Sequence, residues 1–209
     1  MKKNLLILFV CVPAFFFSAS VYSAEGLYVS GNIGFAMLSD SDITDSTLPG
    51  ATITTEYDTG WTLGGALGYD FNRFRVEGEI SYQTNDVDKI GAMGVSFDAS
   101  GDVSSLAFLI NGYFDFVNDS GFTPYISAGL GYAKVEFNDL KVPAISSLSA
   151  GDDDSVFAYQ VGLGVGYAVT EKVTIDVKYR YFATEDPEFD TTTAEIASNN
   201  FLFGVRFNF

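Results

Sequence analysis

Seven charged side chains fall at every second position of three otherwise apolar segments: Arg75, Glu77 and Glu79; Asp176, Lys178 and Arg180; and Arg206. A spacing of two puts each group on one face of an extended strand. Four cations and three carboxylates so placed can form paired ions, either as a fixed plug or as a gate whose pairs exchange partners. The 209 residues contain no histidine. That removes the usual general base near neutral pH and any Ser-His-Asp arrangement. An enzyme would have to work through carboxylates alone, and no catalytic residue is assigned. With no histidine and a single cysteine, Cys11, a zinc site is not expected. Asp40, Asp42 and Asp45, and then Asp152, Asp153 and Asp154, carry hard oxygens that could collect Ca²⁺ or Mg²⁺. Their spacing does not match an EF-hand loop, and a solvated, self-repelling surface accounts for them, so neither a metal nor a cofactor is expected. Gly162-Leu163-Gly164-Val165-Gly166 is followed by no basic residue and no helix start. Its glycines read as places where one strand must approach bulky neighbours.

Eight segments of period-two alternation are available to hold these groups: Leu27–Met37, Gly60–Phe71, Phe74–Thr84, Val103–Phe116, Tyr125–Val135, Val156–Val169, Val173–Phe182 and Phe201–Phe209. The last alternates most plainly, with apolar residues at 201, 203, 205, 207 and 209 and Leu202, Gly204, Arg206 and Asn208 between them. In water such an almost wholly aromatic edge invites aggregation. Hydrocarbon is its natural solvent, and lipid tolerates strands only as closed barrels. The predicted fold class is therefore all-β: a transmembrane, antiparallel, up-and-down β-barrel of eight strands. Each segment reaches or slightly exceeds the roughly 9–11 residues a tilted strand needs to cross hydrocarbon.

The connectors alternate in length. Residues 71–73, 117–124 and 170–172 are short; residues 39–58, 85–102, 138–155 and 183–198 are long and polar. Short periplasmic turns and long outer loops are the habit of bacterial outer-membrane barrels. Aromatic residues gather at both ends, with Tyr69, Phe71, Phe74, Phe114, Tyr167 and Phe209 near the short turns. Phe35, Trp61, Tyr82, Tyr132, Phe157, Tyr179, Tyr181 and Phe201 lie near the long loops, as two interfacial belts require. The long connectors carry 18 of the 27 acids and two lysines, which makes them the expected contact region for host or phage surfaces or for lipopolysaccharide.

Lys2 and Lys3, the apolar run Leu5–Phe17 and the small residues from Ser18 read as a secretory signal. Cleavage after Ser23, with Ala24 the alternative, makes residues 1–23 a signal peptide containing Cys11 and residues 24–209 one barrel domain. Without Lys2 and Lys3, 9 basic residues face 27 acidic ones, a net charge of −18. A surface this acidic excludes nucleic acid as a partner, which would need basic patches.

An eight-stranded barrel has an interior just wide enough for side chains. The seven charges are accordingly expected to plug the lumen as ion pairs, against a wall of small residues that includes Ser127, Gly129, Gly131, Ala133, Gly162, Gly164 and Gly166. Counted from the short-turn end, Glu77, Asp176 and Arg206 fall at one depth and Glu79 and Lys178 at the next. The alternative is a small porin-like channel for ions or small solutes.

Arg75-Val76-Glu77-Gly78-Glu79-Ile80-Ser81-Tyr82, Asn111-Gly112-Tyr113-Phe114-Asp115, the run Thr123 to Tyr132 (TPYISAGLGY) and Tyr179-Arg180-Tyr181 resemble the eight-stranded outer-membrane barrels of the OmpA-like, opacity-protein type. With the terminal Phe the resemblance covers all of residues 24–209, and it speaks to the barrel more than to its biological role. It implies a cell outer-membrane location, contact with outer-membrane lipid and lipopolysaccharide, and a C-terminal strand read by the barrel-assembly machinery through Phe203, Phe207 and Phe209. It does not extend to the peptidoglycan-binding domain that OmpA carries. The expected molecule is a monomeric, non-enzymatic barrel with a structural or surface-interaction (adhesin-like) role.

Overall fold

The structure is a computed structural model that describes residues 25–39, 41–45, 52–92, 95–98, 100–141, 152–185, 188–189, 192–193 and 196–209. The expected signal peptide, its cleavage sites after Ser23 or Ala24, and Asp40 lie outside the described residues. Thirteen strands follow in chain order: β1 (Gly26–Leu38), β2 (Ser41–Asp45), β3 (Thr52–Tyr57), β4 (Gly60–Asp70), β5 (Phe74–Ala92), β6 (Val95–Asp98) and β7 (Ser100–Asp115). They continue with β8 (Phe122–Lys141), β9 (Asp152–Ala168), β10 (Val173–Thr184), β11 (Glu188–Phe189), β12 (Thr192–Thr193) and β13 (Ala197–Asn208). Eight of them close a ring in the order β1-β4-β5-β7-β8-β9-β10-β13, with β13 pairing back onto β1 and every pairing antiparallel.

Burial in this ring is inverted relative to a water-soluble protein. Leu63, Leu67, Phe108, Ile110, Leu130, Leu163 and Phe203 point outward and are exposed, whereas Arg75, Glu77, Glu79, Asn111, Gln160, Lys178, Arg180 and Arg206 are buried. In water that would expose apolar surface and bury charge, both costly. With hydrocarbon outside, the same pattern is favourable, because closure satisfies every ladder hydrogen bond internally. A soluble β-sandwich, with its two apolar inner faces, does not fit.

The two aromatic belts fix the span. Trp61 and Tyr69, Phe74 and Tyr82, and Phe201 and Phe209 are each eight residues apart along the chain. At ~3.3 Å per residue and ~40° of tilt that is about 20 Å of height between ring centres, consistent with an apolar band of about 25 Å. Rings pair across strands within each belt: Trp61 with Tyr82 at 5.5 Å and Tyr179 with Phe201 at 5.3 Å near the long connectors, Phe74 with Phe114 at 5.2 Å and Phe122 with Tyr167 at 4.7 Å near the short ones.

Three short turns close the other end. Asn72 takes a left-handed backbone (φ 75°) and donates its N–H to Asp70 Oδ1 at 2.7 Å. Thr170 Oγ1 accepts from the Val173 N–H at 3.0 Å, and the Asn118 amide donates to the Phe116 and Phe122 carbonyls at 3.0 and 2.9 Å.

The strand boundaries differ from the sequence reading chiefly above the membrane. The expected ends at Thr84 and Val135 are overrun: β5 spans 19 residues and β8 spans 20. Parts of all four long connectors are strand rather than loop, with β2, β3, β11 and β12 forming a small sheet that joins β5 through β3. Once a strand leaves hydrocarbon its outward face meets water, so the apolar stripe that betrays it ends while its backbone pairing continues. At the other end β8 begins at Phe122, and Pro124, read as part of a turn, pairs with Val165 near the strand start, where a missing N–H is tolerated. The terminal strand begins at Ala197, ahead of the expected Phe201.

Candidate functional site

The lumen is the chemically dense part of the molecule, and it is layered. At the short-turn end Arg75 from β5 grips Asp115 from β7 with two hydrogen bonds, Nε to Oδ2 at 2.7 Å and Nη2 to Oδ1 at 2.8 Å. The same guanidinium lies 4.2 Å from the Tyr113 ring centre and 4.9 Å from that of Tyr125. A planar, weakly hydrated cation is suited to stacking and forked pairing at once. Across the lumen Arg206 from β13 has Asp70 and Asp176 each at 3.8 Å, close enough for charge attraction but too far for a hydrogen bond.

One layer higher, Glu77 accepts from the Tyr28 hydroxyl at 2.9 Å, from the Tyr113 hydroxyl, and from Asn111 Nδ2 at 3.4 Å. Lys178 Nζ donates to the Tyr113 hydroxyl at 3.1 Å. Higher still, Glu79 accepts from Arg180 Nη1 at 2.9 Å, Asn111 Nδ2 at 2.6 Å and Gln160 Nε2 at 3.2 Å. Both members of the Glu79–Arg180 pair have side chains only 2% exposed. Arg180 also reaches Thr62 Oγ1 at 3.4 Å, and Asn200 Oδ1 lies within 2.9 Å of its Nη2 in the amide orientation that satisfies both groups. Buried charge is tolerable only with such complete partnering.

Above these polar layers the lumen turns apolar. Leu109, Ala107, Ala133, Ala158 and Phe182 pack together, and beyond them Val87, Val103, Val135, Val156 and Ile196 form a second cluster with Leu38 and Tyr57 against it. The end of the barrel facing the long connectors is thus filled by these hydrocarbon side chains together with buried Gln83, Asn85, Ser105, Thr184 and Ser198.

All seven charges of the sequence reading point into the lumen, yet their partners differ from the expected depths. Glu79 pairs with Arg180, not Lys178; Lys178 is held by a tyrosine hydroxyl; Glu77 is held by hydroxyl and amide donors. Arg206 does meet Asp176, but at 3.8 Å. Counting residues from the turns ignores the stagger a closed barrel imposes on neighbouring strands, and long side chains reach across a level. Two acids were missing from the charge count. Asp115 falls in step with Asn111 and Tyr113 on β7, and Asp70 in step with Gly60, Thr62, Gly64, Ala66 and Gly68 on β4, a signal present in the alternation. The valine cluster was missed because its members lie at or beyond the expected strand ends.

The expected wall of small residues is in place. A Cβ at Gly164 would lie 2.6 Å from the Tyr125 ring and 2.7 Å from the Val177 carbonyl oxygen; one at Gly162 would lie 2.9 Å from Ser127 Oγ. These positions admit no side chain while Tyr125 and Lys178 occupy the lumen. Phe203, Phe207 and Phe209 are outward and exposed, and the Phe209 N–H closes onto the Leu27 carbonyl at 3.1 Å. Asp152, Asp153 and Asp154 are consecutive residues of β9, paired with Phe137, Glu136 and Val135.

Residues 7–209 match the family described as outer membrane protein beta-barrel domain. Outer membrane protein PagN of Salmonella typhimurium is 29% identical over 92% of this chain and 93% of its own length. A Rickettsia conorii protein named "Putative adhesin RC1281" is 28% identical over 53% of this chain and 46% of its own. Among solved structures, Neisserial surface protein A superposes with a TM-score of 0.59 at 20% identity, covering 88% of this chain and 98% of that one, a likeness of fold.

Proposed function

From the premise that this chain belongs to the outer membrane protein β-barrel domain family, a cell outer-membrane location included, we propose that it is a non-enzymatic surface-interaction protein of adhesin-like character. It would act through the acidic segments carried above the membrane by its long strands. The observation that carries this reading is the filled lumen. Two buried ionic layers and two apolar clusters occupy the interior, so the surface beyond the outer aromatic belt is what remains to meet other molecules. That surface is substantial. β5 runs from Tyr82 to Ala92 and β8 from Tyr132 to Lys141 past the belt, about 23–25 Å of height for the nine or ten residues of each. The likeness to a Rickettsia protein named as an adhesin supports the same reading over half of the chain. Eighteen acids in the four connectors favour basic patches on the partner or divalent cations bridging to lipopolysaccharide phosphates.

The test replaces the connector acids Asp40, Asp42, Asp45, Asp139, Asp152, Asp153, Asp154, Asp186, Glu188 and Asp190 with Asn or Gln and measures attachment of cells bearing the variant to cultured host cells. Loss of attachment, with the folded band retained on unheated gels, is the expected result. Undiminished attachment, or a steady unitary conductance of the intact barrel in planar bilayers, would overturn the proposal in favour of plain structural support or of a small channel.

A further inference from the structure

Two cavities of about 40 Å³ each lie in the lower lumen, and Arg206 lines both. The lower one lies among Asp70, Asn72, Asp115 and Asn118 at the short-turn end; the upper is lined by Tyr28, Ser30, Asn32, Asp176 and Lys178. Each has room for roughly two to four waters. Arg206 is 4% exposed, yet its Nε and Nη1 have no hydrogen-bonding partner among the described residues, and neither have Asn32 Oδ1 and Asp176 Oδ1 beside it. A guanidinium normally takes forked, close contacts; this one stands 3.8 Å from each of two carboxylates on opposite sides. By contrast Arg75 and Arg180 are locked by hydrogen bonds at 2.7–2.9 Å.

We propose that Arg206 is a swinging partition between two water-holding compartments, and that the upper compartment exchanges solvent with the periplasm alone. The inference adds to the surface role a one-sided, hydrated vestibule below the seal. Leaning toward Asp70, the side chain clears the Asp176 and Asn32 side; leaning toward Asp176, it clears the entrance. In either position water bridges the carboxylate left behind and supplies the donors and acceptors that Asn32, Asp176 and Arg206 lack. The compartment ends blind at the Glu79–Arg180–Gln160 layer and at the packed Ala107, Leu109, Ala133, Ala158 and Phe182 above it.

The experiment uses the full chain carrying Cys11→Ser, expressed in cells and assayed in isolated outer membranes. Single Ser30→Cys and Ala133→Cys variants are treated with a small neutral thiosulfonate, and the modification rate is followed by mass spectrometry. The expected result is slow reaction at Ser30→Cys, accelerated at least about ten-fold by Arg206→Ala, since a minor open state is populated at most about 10% of the time. Losing a neighbouring cation would by itself slow a thiol by raising its pKa, so acceleration reports access. Ala133→Cys, in the apolar cluster, should stay unreactive in both backgrounds. Arg206→Gln serves as the second opening variant if Arg206→Ala gives no folded band, with the same expected direction. An Arg206 substitution that folds but leaves the Ser30→Cys rate unchanged or lowered would overturn the partition. Ala133→Cys reacting as fast as Ser30→Cys would overturn the one-sided vestibule.

Discussion

Replacing Glu79 with alanine tests the energetics of the lumen most directly. The carboxylate takes three donors at 2.6–3.2 Å, from Asn111, Arg180 and Gln160, in a site where it is 3% exposed. Its removal strands the Arg180 guanidinium, 1% exposed, with only Thr62 and Asn200 in reach. Breaking one side of a buried ion pair costs about 3–5 kcal/mol. Two amide donors lose an acceptor at about 1 kcal/mol each, and water entering the vacated space offsets much of that. The net expectation is about 4 kcal/mol, which at an m-value of about 2 kcal/mol/M moves the urea midpoint down by about 2 M. Refolded barrel in detergent micelles can be titrated by the fluorescence of Trp61, the only tryptophan, on the lipid face and remote from the substitution. The double variant Glu79→Ala/Arg180→Ala removes the stranded charge, so it should be more stable than the sum of the single losses by about 2 kcal/mol. A cost below about 1 kcal/mol for Glu79→Ala, or strict additivity in the double variant, would refute the claim that this pair is a buried, interdependent plug.

Other expectations follow from single positions. Gly164→Val puts side-chain atoms into the Tyr125 ring and the Val177 carbonyl, so yield of the heat-modifiable folded band should fall sharply, whereas Gly78→Ala, on the open lipid face, should leave it unchanged. Val135→Asp plants a carboxylate at a 0% exposed position in the upper valine cluster. It should cost about 3 kcal/mol or more in urea titrations, with the loss shrinking as the pH is lowered and the new acid is neutralised. Phe209→Ala removes an exposed ring from the lipid face; its effect should be a reduced amount of folded protein in the outer membrane of growing cells, with urea stability of the purified barrel altered by less than about 1 kcal/mol. Arg75→Lys keeps the charge but loses the fork on Asp115 and the stacking on Tyr113, and should cost about 1–2 kcal/mol by the same titration.

What the amino-acid order determined on its own is the wall. Period-two alternation is a local property, so eight crossings, the lipid face, both aromatic belts and the inward direction of Arg75, Glu77, Glu79, Asp176, Lys178, Arg180 and Arg206 could all be read from neighbours along the chain. Strands above the membrane could not, because past the outer belt the outward face meets water and the apolar stripe ends, although the backbone pairing of β3 with β5 continues.

The choice of partner across the lumen belongs to the tertiary structure. Glu79 and Arg180 are 101 residues apart, and nothing near either one distinguishes Arg180 from Lys178 as the mate. The stagger that closes the ring raises one strand against the next, brings Arg180 to Glu79, leaves Lys178 to Tyr113, and sets Arg206 between two carboxylates it does not touch. The apolar seal has the same origin: Val87, Val103, Val135 and Val156 come from four strands, and only closure of the barrel turns their four separate ends into one filled cross-section.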